Sequence, residues 1–393
     1  MAYVKHNFKK GDVLTAQALN EMEEQIVINS GEQTWDFTSD YQTELNKVVK
    51  AIEDIQNTDK LHTVEFITFS DIHRANTSDH PEFYRMMNAI NYLTTKLNIK
   101  FVANLGDNYS GYPSEGSTYG KKGVMGIYEE MVDLLSELNA PFININGNHD
   151  SVPHVYKRNW ITNISNAVFD SVGSWFYLDD DFHNVRFIAL DCQDKEGDAE
   201  AWTTVQSTGG YADRSWRQLD WLANVALKTN KNIIFLQHQA MDARSNTSLV
   251  HPTRTDRYFV AADIINSFKA GTSGNASNGD VVAVSWDFTN QGQGTVLCNF
   301  CGHTHGDAFF NANYKSNNSD TSSINEIAID DALYASATHA GVSGTKTLNT
   351  VNEIAFDVVS VDLLNKVVKC HRFGTGDNRA CTLNGSMTTF SYA

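Results

Sequence analysis

From Thr63 onward, short apolar runs alternate with longer stretches of helical periodicity. Residues 63–70, 100–105, 141–145, 185–190, 232–237 and 296–301 predict strands, and 81–97, 124–138, 154–170, 213–229 and 256–269 predict helices. Strand–helix alternation predicts an α/β sheet with both faces covered. Residues 353–361 and 366–373 flank Leu364-Asn365 and predict a closing hairpin. The Gly-, Ser- and Asn-rich stretches 110–122, 271–280 and 311–325 predict surface loops.

The first 62 residues have a different pattern. A helix is predicted over 14–29, with Leu19, Met22 and Ile26 on one stripe and Thr15 as N-cap. A second is predicted from Asp40 to Gln56. Its apolar positions Tyr41, Leu45, Val48, Ile52 and Ile55 alternate in steps of four and three, a short heptad seam. Two readings are open: an amphipathic helix lying on its own domain, or a self-association helix. Ile at both core positions of a heptad leans towards three or more strands over two, hence a homo-oligomer with a trimer favoured. The expected organisation is a helical attachment or oligomerisation segment, 1–62, before an α/β domain, 63–393.

The chain has 393 residues, 41% hydrophobic and 20% charged, a globular composition. No run is long and apolar enough to span a membrane. The formal charge of −17 argues against a duplex nucleic-acid partner, since such binding rests on basic side chains neutralising phosphates. It does not exclude a phosphate-ester substrate, because bound metal ions can make a positive site in an acidic surface. No apolar segment of signal-peptide length opens the chain, and five cysteines are too few for a disulfide scaffold. Both point to synthesis in a reducing cytoplasm.

The informative feature is what ends each strand. The run at 63–70 ends in Asp71-Ile72-His73, that at 100–105 in Gly106-Asp107-Asn108, and that at 141–145 leads to Gly147-Asn148-His149-Asp150. The run at 232–237 ends in His238, and that at 296–301 in Gly302-His303-Thr304-His305. Ligands of open α/β sheets bind at this carboxyl edge. Imidazole suits zinc or iron, and carboxylate or amide oxygen suits manganese or magnesium. Without a cysteine-rich cluster, a structural thiolate zinc site is disfavoured.

These five blocks, in this order, resemble the calcineurin-like metallophosphoesterase superfamily, whose signature is Asp-x-His, Gly-Asp, Gly-Asn-His-Asp/Glu, a lone His and Gly-His-x-His. The resemblance spans roughly 63–310 and implies an α/β fold, a four-layer α/β/β/α sandwich. It also implies two divalent metal ions (Mn, Fe or Zn). Asp71, His73 and His305 would hold the first, Asn148, His238 and His303 the second, and Asp107 would bridge both. His149 would face the substrate as proton donor to the leaving oxygen, catalytic together with Asp107. The implied reaction is phosphoester hydrolysis, a diester more than a monoester, by a hydroxide shared between the ions.

Departures narrow the subgroup. Purple acid phosphatases have Gly where His73 stands and Tyr where Ser110 stands. The paired arginines of protein Ser/Thr phosphatases have no clear match in Arg74 or Arg158, and the double-strand-break nucleases fit poorly with the negative charge. Arg74, Asn108, His154 and Arg158 are candidate substrate contacts, with Asn108 alternatively capping a turn. Trp160 lines the cleft or belongs to the core. Asp150 supports His149 or a neighbouring loop in preference to binding metal. A structural role is the better reading for His80, His183, His251 and His339. Cys298 and Cys301 sit three apart in one strand, facing opposite sides, and read as buried thiols.

A second resemblance is shorter. Phe8-Lys9-Lys10-Gly11-Asp12-Val13-Leu14-Thr15-Ala16-Gln17-Ala18-Leu19-Asn20-Glu21-Met22 looks like the opening of bacteriophage tail, baseplate and fibre proteins. Arg372-Phe373-Gly374-Thr375-Gly376-Asp377-Asn378-Arg379 is similar to a tail of phage-encoded phosphoesterases. Together they imply a virion component with tail or baseplate partners, extracellular after lysis, acting on a surface phosphodiester such as teichoic acid. The alternative is a structural or receptor-binding virion protein with a vestigial site. The complete ligand set favours activity.

Overall fold

A computed structural model describes residues 37–74, 80–108, 123–150, 161–171, 173–194, 213–242, 256–313, 322–333 and 344–392. The expected helix at 14–29 lies outside them. Contacts divide the chain between Phe37 and Thr38.

Two seven-stranded sheets form the body of the second unit. The first runs β16 (Met387–Phe390), β15 (Asn378–Thr382), β14 (Val367–Gly374), β13 (Ala355–Asp362), β1 (Thr63–Phe69), β2 (Val102–Asn104), β3 (Phe142–Asn144). The second runs β11 (Ala308–Phe310), β12 (Glu326–Ala328), β10 (Val296–Cys301), β7 (Asn232–Leu236), β6 (Val185–Ala189), β5 (Phe176–Asp180), β4 (Val168–Phe169). Strands β1, β2 and β3 are mutually parallel, as are β6, β7, β10 and β12. Parallel strands are covered on both faces, which is why their sequences read as unbroken apolar runs. Every residue of β1 is buried.

The sheets pack face to face through aromatic rings. Phe66 of β1 stacks on Phe101 at 5.1 Å and meets Phe187 of β6 and Phe300 of β10 edge-on at 5.8 and 5.2 Å. Outside the second sheet, α4 (Trp216–Trp221), a π-helical turn (Leu222–Ala226) and α5 (Val260–Ala270) bury Leu219, Leu222, Ile264 and Phe268 against Ile188, Ile233 and Phe235. Outside the first lie α1 (Ser39–Asp59), against β14 and β1, α2 (Pro81–Lys96), against α1, and α3 (Gly123–Ser136), against β3. This is the four-layer α/β/β/α arrangement.

The α1 stripe answers the question left open by its heptad spacing. Tyr41, Leu45, Val48 and Ile52 are 0–1% exposed within the single chain. The Tyr41 hydroxyl donates to Glu353 Oε1 at 2.5 Å, and its ring sits 5.6 Å from that of Phe373. The self-association seam expected here is therefore used intramolecularly, and the basis for a trimer through α1 is withdrawn. Burying a large apolar side chain is worth roughly 1.5–3 kcal/mol, so this face ties α1 to the catalytic domain.

Three other expectations change. The helix expected over 154–170 does not continue past Ile161: Thr162 bridges to Ile143, its hydroxyl donates to the Phe142 carbonyl, and β4 follows. Cross-strand pairing there outweighs helical periodicity. The loop expected at 271–280 is mostly β8 (Ser273–Asn278), paired with β9 (Val281–Asp287). Its polar composition hid it, and Gly274 is needed because a Cβ would strike the Trp286 ring. Helix 213–229 is shortened to α4 and the π turn. Cys298 lies in the core between the sheets and Cys301 in a separate cluster, both buried thiols, as their spacing predicted.

Candidate metal centre

The carboxyl ends of β1, β2, β3, β7 and β10 meet at one edge of the sandwich. Nine non-glycine residues among those described have positive φ, and five are Asp71 (54°), His73 (47°), Asp107 (56°), His303 (69°) and His305 (52°). Left-handed backbone costs an ordinary residue about 1–2 kcal/mol. Such strain persists where the surroundings over-determine the conformation, and it collects at functional sites. Here backbone bonds hold it: Asp71 N–H donates to the Gly106 carbonyl and His73 N–H to that of Asp107, both at 2.9 Å, and Gly302 N–H to that of His238 at 2.8 Å. Glycines let the loops touch. A Cβ on Gly147 would fall on Asp107 Oδ1, and one on Gly302 on Ser70 Oγ.

Two ligand groups form, sharing Asp107. In the first, Asp71, His73, Asp107 and His305 offer atoms within 4.8 Å of one another; in the second, Asp107, His238 and His303 do. His73 Nε2 and His305 Nε2 are 2.9 Å apart, and Asp71 Oδ1 is 3.2 Å from His305 Nε2 and 3.6 Å from His73 Nε2. Asp107 Oδ2 lies 3.7 Å from His73 Nε2 and 3.2 Å from His238 Nε2. Asn148 joins the second group, its Oδ1 2.9 Å from His238 Nε2. Ligands bound at about 2.1 Å around one ion stand roughly 3.0–3.5 Å apart, close to these separations.

Each carboxylate divides its work. Asp71 Oδ2 accepts the His303 N–H at 2.9 Å, and Asp107 Oδ1 the His149 N–H at 2.8 Å. The other oxygens, Asp71 Oδ1 and Asp107 Oδ2, are buried and accept no well-formed hydrogen bond. A buried anionic oxygen left so is costly unless a cation meets it. His238 Nδ1 donates to the Leu105 carbonyl at 2.9 Å, which leaves Nε2 as the ligating nitrogen.

The electrostatics agree. Burial alone would raise Asp107; His238, His149 and His73 outweigh it and hold the carboxyl below its ordinary range. Asp71 is likewise held low against burial, chiefly by His305. In return, Asp107 overcomes the burial of His238 and lifts it to about 10, and Asp71 raises His305. Two buried carboxylates thus create a field that favours positive charge, and the residues fit divalent cations.

His149 belongs to neither group. Its Nε2 is 3.9 Å from Asp107 Oδ2, its ring stands edge-on to His73 at 4.8 Å, and its side chain is 16% exposed. Burial, with His73 and His238 nearby, lowers it to about 4.

Two expected substrate contacts are placed otherwise. Arg74 is buried, pairs with Glu130 at 2.8 Å and lies over the Phe83 ring at 4.3 Å. Asn108 is 1% exposed; its Oδ1 accepts from Asn104 at 2.5 Å and its Nδ2 donates to Asp150 at 3.2 Å. Both are engaged inside the protein, so neither is retained as a substrate contact. His154, Arg158, Trp160, His251 and His339 lie outside the described residues. His80 precedes α2 beside Glu82, and His183 pairs with Asp180 at 2.7 Å.

Asp150 takes one of the two roles expected of it, support of a neighbouring loop. Its carboxylate accepts the backbone N–H of Asp107 at 2.8 Å, Asn108 at 2.7 Å and Gly147 at 2.8 Å, tying two ligand loops together. The Gly-Asn-His-Asp block signalled it. The Leu105 carbonyl carried no sequence signal, since any residue supplies a carbonyl.

A family model described as calcineurin-like phosphoesterase matches residues 65–307. That is more than half of the chain, which belongs to this family and is a metallophosphoesterase. A search of curated proteins finds no match.

Proposed function

We propose that this chain is a dinuclear phosphodiesterase carried by a bacteriophage tail and directed at a phosphodiester polymer of the bacterial surface, such as teichoic acid. The observation that carries the chemistry is the pair of ligand groups sharing Asp107. In this reading Asp71, His73 and His305 hold one ion, Asn148, His238 and His303 the other, and Asp107 both. Two divalent ions supply a water acidic near neutral pH and a positive field for phosphoryl oxygens.

The protein's own residues do the rest. The glycine-lined loops and Asp150 keep the ligands in place without rearrangement, the condition under which electrostatic stabilisation is largest. His149, outside both ligand groups and partly exposed, stands where it can donate a proton to the leaving oxygen. Burial lowers its proton affinity; as the donor it must be the imidazolium, taking its proton from solvent as the negative charge of the bound phosphoryl group raises that affinity.

The tail role is supported by the resemblance of residues 8–22 to tail proteins, and it places the chain in the virion after cytoplasmic synthesis. No helix among the described residues is long and apolar enough to cross a membrane. The charge of −17 repels any polyanion, but a short flexible polymer can present one linkage to a metal-lined cleft more easily than stiff duplex DNA. The test is polyol-phosphate release from purified teichoic acid beside nuclease assays at matched manganese, with a chromogenic diester and monoester alongside. Rapid DNA cleavage with teichoic acid untouched overturns the substrate; a faster monoester overturns the diester preference.

A further inference from the structure

The C-terminal strands, beyond the family match, carry two buried arginines that reach back to the metal centre. Arg372 Nη2 donates to Asp307 Oδ1 at 2.6 Å and Nε to Asp357 Oδ1 at 2.9 Å. Arg379 Nη1 stands 3.0 Å from Asp307 Oδ2, and Nη2 donates to Asp357 Oδ2 at 2.6 Å. Two guanidinium groups and two carboxylates thus form a closed square, each carboxylate held by both arginines. Planar guanidinium forks fix carboxylates in orientation as well as position.

Asp307 is two residues past His305. Its Oδ1 also accepts the Asp330 N–H at 3.2 Å. The neighbouring Asp331 bridges to Ser70, the residue before Asp71, and Ala332 N–H donates to the Ser70 carbonyl at 2.9 Å. Fully buried Lys346 closes the network, its Nζ 2.6 Å from Asp331 Oδ1 and 3.4 Å from Asp330 Oδ2. A continuous run of buried charge therefore links the loop of His305 to the strand end that presents Asp71. Both are ligands of the first group, and both have positive φ. In the second group, His238 is oriented instead by the Leu105 carbonyl.

We propose that Arg372 and Arg379 are positioning residues for the first metal ion: by gripping Asp307 they hold the His305 loop in the left-handed conformation that turns its ring towards Asp71 and His73. This rests on the ligand assignment above. It gives the Arg372–Arg379 segment a physical role at the site, independent of any virion attachment.

The test is a manganese-binding isotherm on the full chain, with thermal unfolding in EDTA followed separately. The wild type is expected to bind two ions. Arg379→Gln is expected to weaken one of them by about ten- to a hundredfold, the usual cost of losing an outer partner of a ligand, and to leave the other unchanged. Asp307→Asn, nearly isosteric, is expected to do the same, and it decides alone if Arg379→Gln does not fold. Isotherms matching wild type, or two sites weakened in parallel, would overturn the proposal, whatever the loss in thermal stability. A wild-type chain that binds no manganese refutes the ligand assignment itself, and the positioning role with it.

Discussion

Asp150→Asn offers a direct measure of how the ligand loops are held. The native carboxylate is 1% exposed and accepts four N–H groups, three from the backbone of residues 107, 108 and 147 and one from the Asn108 side chain. An amide in its place has one oxygen and one nitrogen donor. With the oxygen at the Oδ2 position, the backbone N–H of Asn108 faces a donor; with it at Oδ1, the backbone N–H groups of Asp107 and Gly147 and the side-chain N–H of Asn108 do. A buried N–H left without an acceptor costs about 1–3 kcal/mol, and the surviving bonds lose their charge assistance, worth about 1 kcal/mol each. With one N–H orphaned and three bonds weakened, the total is roughly 4–6 kcal/mol. Unfolding entropy of about 2.1 cal/mol/K per residue gives roughly 0.8 kcal/mol/K for a chain of this size, hence a fall in Tm of about 5–7 °C. Calorimetry at pH 8 in EDTA, with the carboxyl ionised and metals removed, isolates this loss. A Tm within about 1 °C of wild type would refute the reasoning, for it would mean the two loops hold their shape without the carboxylate.

Asp107→Asn should lower bound metal more than any other single ligand change, because Asp107 alone serves both groups; elemental analysis after manganese reconstitution measures it. His149→Gln should keep both ions yet slow turnover of a diester with a poor leaving group by roughly 10²–10⁴-fold, and of a nitrophenyl ester much less; equal losses on both remove the proton-donor role. Leu45→Ala should destabilise the domain by about 2–5 kcal/mol in urea, as a buried core position does, and leave the mass by light scattering unchanged. His371 is 3% exposed between Phe390 and Tyr392, and burial lowers it to about 4. Its folded pKa is depressed, so the stability it allows is full above its unfolded value of about 6.5. Stability is lost as pH falls from there to about 4, at roughly 1.4 kcal/mol per pH unit. His371→Phe should flatten urea stability against pH in that window, and a slope identical to wild type's would count against the assignment.

The sequence alone was enough for the strands that matter to chemistry. Parallel strands buried on both faces, such as β1 and β7, must be continuous apolar runs, and the polar residues that interrupt them at the carboxyl edge stand out for that reason. The ligand types and their order were legible there, as were the opposite facings of Cys298 and Cys301. Tertiary structure decided what period and composition leave open. The α1 stripe suits a partner helix or its own sheet equally, and only the presence of β14, β1 and α2 under it settled the choice. Strand β8 is polar and mostly exposed, so nothing in its composition separates it from a loop until β9 pairs with it. Asn108 and Arg74 sit beside ligands in sequence, but side-chain direction follows from backbone conformation and from partners as distant as Asp150 and Glu130. The contact of Arg379 with Asp307 joins residues far apart along the chain. Mutual attraction in the low-dielectric interior offsets the cost of burying these charges, and no local pattern encodes the place where they meet.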